Sequence, residues 1–299
     1  MPHSFYGVLG IGIPNNSSNI TSLSNLPARL KMGGIIEKMV YSMYQLSQNS
    51  TRGVVLFGAI DYSKFTGELL TVPITTLLED SMYLPRSRIE VIVNHLQLSN
   101  GEKKVNVLTN SYPAVLDSST ELIQVPRALA NNLKYILNAD NSSSAYVIKC
   151  PSDSSLTLDF EFSGSFLSIP VLSLVTSRYA GNCTLGIIPQ DQGNYIILGR
   201  TFLKGAYVVY DLDDREVSLA VRDFNEGALS SIVVINSLIA SAVDAPNYSS
   251  TLLGSISREP KATATLKYNK LLMAVSKDGL ALSIKMTLAI VLAVVLLVV

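Results

Sequence analysis

Tryptophan is absent from these 299 residues, histidine and cysteine occur twice each, and charged residues make up only 15%. Two histidines, His3 and His95, far apart in the chain and from the cysteines, give no metal-ligand constellation. They read as ordinary surface or strand residues. No serine sits in a Gly-x-Ser-x-Gly elbow, so a serine triad has no nucleophile to build on. No Gly-x-x-x-x-Gly-Lys occurs, and Gly7, Gly10 and Gly12 do not complete Gly-x-Gly-x-x-Gly, so phosphate-cradling loops are excluded. The 23 basic and 23 acidic residues cancel, leaving no electrostatic footprint for a nucleic acid. Neither a cofactor nor a metal is expected. What remains is carboxylate chemistry.

What is present is apolar and β-prone. With 48% hydrophobic residues the chain can bury a sizeable core, in one large domain or two of ordinary size. Ser, Thr, Val, Ile, Leu and Tyr are abundant and helix-period segments are few, which favours a mainly β fold. Residues 27–40 are the best early helix, with Asn25 as its cap and Gly33-Gly34 weakening or splitting it. Strands are expected over 54–60 and 68–74 with a turn at 61–67, and a lobe boundary near 73–80. Further strands follow at 89–93 and 96–98, ending in an Asn100-Gly101 turn. Pro126 opens a helix to about Leu137, with Leu129, Leu133 and Ile136 on one side. Leu156, Leu158, Phe160 and Phe162 alternate with polar residues, and Ser163-Gly164-Ser165 turns that strand back on a partner. Strands at 195–198, 206–210 and 216–221 close the apolar part, with 211–214 as a hairpin tip. Residues 244–270 are rich in Ser and Thr and read as a spacer.

Cys150 and Cys183 can be a disulfide or two core thiols. Asn15, Asn16, Asn19, Asn49, Asn141, Asn182 and Asn247 each open an Asn-x-Ser/Thr triplet, which favours a secretory setting and makes them glycosylation candidates. Residues 286–299, MTLAIVLAVVLLVV, form an apolar run of about 21 Å as a helix, short of a hydrocarbon core of roughly 30 Å. Behind a spacer containing Ser276 and Gly279 it reads as a glycolipid-anchor signal, with a tail-anchoring helix as the other reading. Ser276 and Gly279 are the anchor-site candidates. Residues 1–16 lack the basic and apolar regions of a signal peptide.

One stretch concentrates the chemistry. Residues 114–126, AVLDSSTELIQVP, set Asp117 at the end of an apolar strand in a hydroxyl-rich turn. Such an aspartate is either half of a catalytic pair or an ordinary turn residue that caps its own backbone. Asp61, Asp80 and the other carboxylates read as solvated turn residues.

This stretch resembles the second active-site segment of the pepsin-like aspartic proteases, apolar-apolar-Asp-Ser/Thr-Gly-Thr. Other segments agree with that family in order. Residues 6–14 (YGVLGIGIP) are similar to a segment late in the first lobe, and 53–61 (GVVLFGAID) with Gly67 and Val72-Pro73 to the crossing between lobes. Residues 195–202 (YIILGRTF) and 206–212 (AYVVYDL) resemble the closing strands. Residues 245–251 (APNYSST) and the apolar tail resemble the yapsins, fungal cell-surface members of the family.

The resemblance implies the pepsin-like fold, a second lobe complete over 73–222 and a first-lobe remnant with the crossing over 1–72. A stalk over 223–285 and an anchor signal over 286–299 follow. It implies a Cys150–Cys183 disulfide and Asp117 as a catalytic residue, with Ser118, Ser119 and Thr120 as its loop. It also implies a polypeptide substrate cut at basic residues, a monomer, and a cell-surface or wall location reached through a membrane anchor. The family's reaction uses two aspartates sharing one proton, because adjacent like charges cannot both ionise easily. No Asp-Thr-Gly or Asp-Ser-Gly occurs in this sequence, so a truncated and inactive member is expected. Ser119 stands where the family has glycine, Glu121 where a small or hydroxyl residue is usual, and Arg200 where aspartate follows glycine. Ser119 is expected to crowd the loop and strain its backbone. The alternative is a non-catalytic surface-binding protein built on the second lobe.

Overall fold

Apolar segments too short for helices and bounded by turn residues become strands, and among the described residues they build five β-sheets. The structure, a computed structural model, describes residues 9–14, 25–47, 52–78, 88–140, 146–152, 155–225, 227–239 and 241–252. The expected mainly β, pepsin-like architecture is what is found.

The largest sheet runs β2 (Gly53–Phe57), β1 (Val40–Gln45), β17 (Ala206–Asp211), β18 (Glu216–Arg222), β4 (Phe65–Pro73) and β20 (Ala242–Asp244). It joins early and late chain, since β1 pairs antiparallel with β17 and β4 with β18. A five-stranded sheet orders β15 (Ile187–Gln190), β9 (Ile123–Pro126), β16 (Ile196–Leu198), β8 (Tyr112–Leu116) and β5 (Ile89–Val93). A four-stranded meander holds β12 (Ser165–Pro170), β11 (Thr157–Phe162), β6 (His95–Ser99) and β7 (Lys104–Leu108). Three strands, β10 (Tyr146–Lys149), β14 (Asn182–Leu185) and β13 (Val175–Tyr179), make a fourth sheet, and β19 (Ile232–Val234) pairs with β3 (Ala59–Asp61). The α-helices among the described residues are α1 (Leu26–Met32), α2 (Arg127–Ile136), α3 (Arg200–Gly205) and α4 (Tyr248–Leu252).

Period-2 patterning puts the two faces of the large sheet to different uses. Tyr41, Val208, Tyr210, Val217 and Leu219 face the main core, with Phe160, Phe202 and Leu129. Val40, Tyr44, Tyr207, Val209 and Ala220 face a second, smaller core closed by Ile235 and flanked by Ile239 and Ala242. The chain after Arg222 is therefore covering a sheet face. This differs from the spacer expected from residue 223: Ile232–Val234 and Ala242–Asp244 are strands, and Ala245 and Thr251 are buried. The cover draws on apolar residues of 232–245, with Ile235 and Ala245 buried, ahead of the Ser/Thr-rich stretch that gave the segment its spacer character. Asn247 N donates to Ser163 O, and the Tyr248 hydroxyl lies 2.6 Å from Glu216 Oε1, so the cover also straps the β11–β12 hairpin to the sheet.

The early helix is shorter than its pattern. Asn25 does cap it, accepting from Ala28 N at 3.0 Å, but it ends at Gly33, and Gly34 takes φ +67. Met39 and Val40 thus lead into a strand instead of sharing a helical face. The turn expected over 61–67 is a short 3-10 helix, Tyr62–Lys64, and β4 already begins at Phe65. Helix α2 matches its pattern, with Leu129, Leu133 and Ile136 buried. Among the described residues no helix is long and apolar enough to cross a membrane, and residues 286–299 lie outside them.

Candidate active site

Strand β8 lies between β5, antiparallel to it, and β16, parallel to it. Asp117 N donates to Leu198 O at 3.1 Å, so the β8–β16 ladder continues to the residue that carries the carboxylate. A carboxylate one step beyond a paired strand inherits that strand's rigidity.

The turn that follows is locked to α3 through the backbone. Arg200 N donates to Thr120 O at 2.8 Å, Thr201 N to Glu121 O at 2.9 Å, and the Thr201 hydroxyl to the same oxygen at 2.9 Å. Gly199 makes this approach possible. A Cβ there would stand 2.7 Å from Thr120 O and closer still to Leu122 O, and both are backbone atoms with no room to retreat.

The carboxylate itself is half-buried and held by its own turn. Oδ1 accepts from Ser119 N at 2.8 Å and from the Ser119 hydroxyl at 2.6 Å, while Oδ2 accepts from the Thr120 hydroxyl at 2.6 Å. Burial pushes the acid's pKa up, but the hydroxyls and backbone N–H groups of Ser119 and Thr120 outweigh it and hold Asp117 below the ordinary carboxylate range. Behind the site, Tyr210 of β17 stacks on Tyr41 with ring centroids 4.7 Å apart. Burial first, and the Asp117 charge second, raise the Tyr210 phenol far above its ordinary value, so it stays neutral. Nothing in the sequence pattern marked Tyr210 or Thr201 as neighbours of this turn. The apolar-apolar-Tyr-Asp run at 208–211 was the available signal for Tyr210.

Ser119 does not strain the turn as expected. The described non-glycine residues at positive φ are Asn138, Ser163, Ala180 and Arg215, and none belongs to it. Serine fits the backbone and adds a donor. Ser118 is exposed at the tip. Glu121 and Arg200, both departures from the family pattern, face each other as an exposed pair at 3.6 Å.

The other residues singled out by sequence fall elsewhere. Cys150 and Cys183 are joined as a disulfide that ties the end of β10 to β14. Asn182 is half-buried on β14 and Asn247 is exposed ahead of α4; Asn15, Asn16, Asn19, Asn49, Asn141, Ser276 and Gly279 lie outside the described residues, as do Asp80 and His3. His95, on β6, stands 3.5 Å from Glu161. Asp61 is not a solvated turn residue. It is fully buried and accepts from Ser63 N (3.0 Å), the Ser63 hydroxyl (2.7 Å), the Ser230 hydroxyl (2.6 Å) and Ser231 N (2.9 Å). Asp211, Asp214 and Glu216 lie close together at the β17–β18 hairpin, where Lys38 pairs with both aspartates and Tyr248 with the glutamate.

The profile described as eukaryotic aspartyl protease covers residues 1–222. The chain belongs to the eukaryotic aspartyl protease family. Aspartic proteinase 3 and yapsin-3 of Saccharomyces cerevisiae are 36% and 34% identical to it over 263 residues, 83% of this chain and 46% and 52% of theirs. Secreted aspartic protease 9 of Candida albicans is 37% identical over 222 residues, 72% of this chain and 41% of its own. The chain thus spans about half the length of the curated relatives it matches. Within the family it is similar to fungal, pepsin-like members.

Proposed function

We propose that this chain carries one carboxylate of an aspartic endopeptidase site, Asp117, and acts on polypeptides as the yapsin-type proteinases do. The observation that supports this most is the Asp117 turn, a half-buried carboxylate beyond a paired strand with donors from Ser119 and Thr120 on it. Peptide cleavage by this chemistry needs a second carboxyl group to protonate the scissile carbonyl while the first takes a proton from water. Asp61 is unsuited to that role, because its oxygens are taken up by Ser63, Ser230 and Ser231. In this reading the 299 residues cut nothing alone, and they cut when a lobe bearing Asp-Thr-Gly is joined to them.

The finer parts of the reading follow the resemblance. Residues 73–222 act as the Asp117 lobe and 1–72 as a first-lobe remnant with the crossing. The chain past the sheet cover, 253–285, acts as spacer and 286–299 as a membrane-anchor signal, placing the protein at the cell surface as a monomer with a preference for Lys and Arg. The disulfide and the Asn-x-Ser/Thr triplets favour that setting.

The test is cleavage of a Lys/Arg-containing peptide at acid pH. Purified chain is expected to leave it intact, and a fusion to an Asp-Thr-Gly lobe to cut it in a manner abolished by Asp117→Asn. Cleavage by the fusion that survives Asp117→Asn would overturn the role of Asp117, and cleavage by the chain alone would overturn its dependence on a second lobe.

A further inference from the structure

Asp117 receives both donors of one residue on a single oxygen. Ser119 N and the Ser119 hydroxyl both reach Oδ1, at 2.8 and 2.6 Å, and the Thr120 hydroxyl reaches Oδ2 at 2.6 Å. A carboxylate oxygen has two lone-pair sites, so Oδ1 is filled. Glycine at position 119 would bring only the N–H. The hydroxyl is therefore an added donor, aimed at the charged form of the acid, and the backbone bears it without a positive φ.

The groups around the carboxylate do not compete with it. Leu198 of β16 presents its carbonyl to Asp117 N, Tyr210 of β17 is a neutral phenol, and Arg200 of α3 is paired with Glu121. A hydrogen bond to a charged acceptor is about twice as strong as a neutral one, so each such donor favours ionisation.

We propose that the Ser119 hydroxyl is a positioning donor that keeps Asp117 ionised with Oδ1 closed to protons, making Asp117 the base of the pair and Oδ2 its receiving atom. This rests on the reading of Asp117 as a protease carboxylate. One water O–H bond breaks and its proton passes to Asp117 Oδ2. The water oxygen bonds to the scissile carbonyl carbon, and the carbonyl oxygen takes the proton of the second carboxyl group. Serine at position 119 thus assigns the shared proton to the partner before substrate arrives.

The experiment is a titration of the full chain carrying 13C-labelled aspartate. The Asp117 carboxyl resonance is identified by its loss in Asp117→Asn. Ser119→Ala, which keeps the Cβ and the N–H, and Ser119→Gly are each expected to raise its midpoint by about one unit. Ser119→Thr, which keeps the hydroxyl, is expected to stay within about 0.3 unit of the parent. A parental midpoint in both Ser119→Ala and Ser119→Gly, with the fold retained, would overturn the proposal. So would a Ser119→Thr midpoint displaced as far as that of Ser119→Ala. The readout needs no peptide cleavage, so a chain that cuts nothing in any context still answers it, and the failure of the protease reading is seen separately.

Discussion

Arg200 Nη2 stands 3.6 Å from Glu121 Oε2, joining the first residue of α3 to the turn that carries Asp117. The two positions break the family pattern with opposite charges, and the fold brings them face to face. Their side chains are 58% and 71% exposed, so water screens the attraction. A double-mutant cycle over Glu121→Ala and Arg200→Ala is expected to give a coupling of about 0.2–1 kcal/mol, lost at about 1 M salt. Chemical denaturation of the parent and the three variants measures it. A salt-independent coupling would mean that the pair acts through packing.

Gly199 is the position where the active turn tolerates least. Gly199→Ala places a methyl group against the carbonyl oxygens of Thr120 and Leu122, in the turn between β8 and β9 that Arg200 N and Thr201 N hold against α3. The expected cost is about 1–3 kcal/mol, seen as a lower urea midpoint at unchanged slope. The Asp117 carboxyl resonance should move as well, since the turn is pushed from behind. An unchanged midpoint would show that the turn yields freely.

Legibility in the sequence followed how far apart the determining residues lie. The strand Leu156-to-Phe162, the Ser163-Gly164 turn and helix α2 were readable because each depends on neighbours within about a dozen residues. The place of Asp117 at a strand end in a hydroxyl-rich turn was readable through its short motif. Three kinds of feature were not. Helix α1 looked longer because Met39 and Val40 continue its spacing, whereas pairing of Val40 with Asp211 begins a strand there. The cover over the large sheet was hidden because Ile235 closes a core whose other members lie on β1, β3, β4, β17 and β18. Asp61 looked solvated because its partners Ser230 and Ser231 are about 170 residues away, as the separations of 169 and 170 record. Local chemistry can be read from a sequence; the identity of a distant partner cannot.

Reduction of the Cys150–Cys183 disulfide is expected to lower stability without removing the fold of the large sheet. The bond closes a loop of sequence separation 33, for which chain entropy gives roughly 3–4 kcal/mol. Cys183 is fully buried on β14 between β10 and β13, so the reduced thiols remain in place until the three-stranded sheet opens. A scan with and without reductant measures the change. The melting temperature should fall by several degrees, and the same scan of Cys150→Ser/Cys183→Ser should match the reduced protein. Coincident curves for oxidised and reduced protein would contradict the estimate.

Asp61 fastens the sheet cover, and its effect should depend on pH with a definite sign. Burial raises its pKa, but donors from Ser230, Ser231 and Ser63 prevail and hold it below the ordinary value. A carboxyl group whose folded pKa is depressed stabilises the fold above its unfolded value of about 3.9, and that contribution is lost as pH falls through the folded value. Asp61→Asn keeps the shape, removes the charge and turns a donor toward the Ser230 hydroxyl. The loss expected near pH 7 is about 1–3 kcal/mol. It should stay level down to about pH 5 and shrink below about pH 4, because the parent then loses the same charge. Amide exchange gives the location. Ser231 N, which donates to Asp61, and Ile235 N, which donates to Gly58 O, should exchange faster in the variant, while amides of β8 and β16 keep their rates. Equal acceleration in both regions would mean that Asp61 supports the whole fold and not the cover alone.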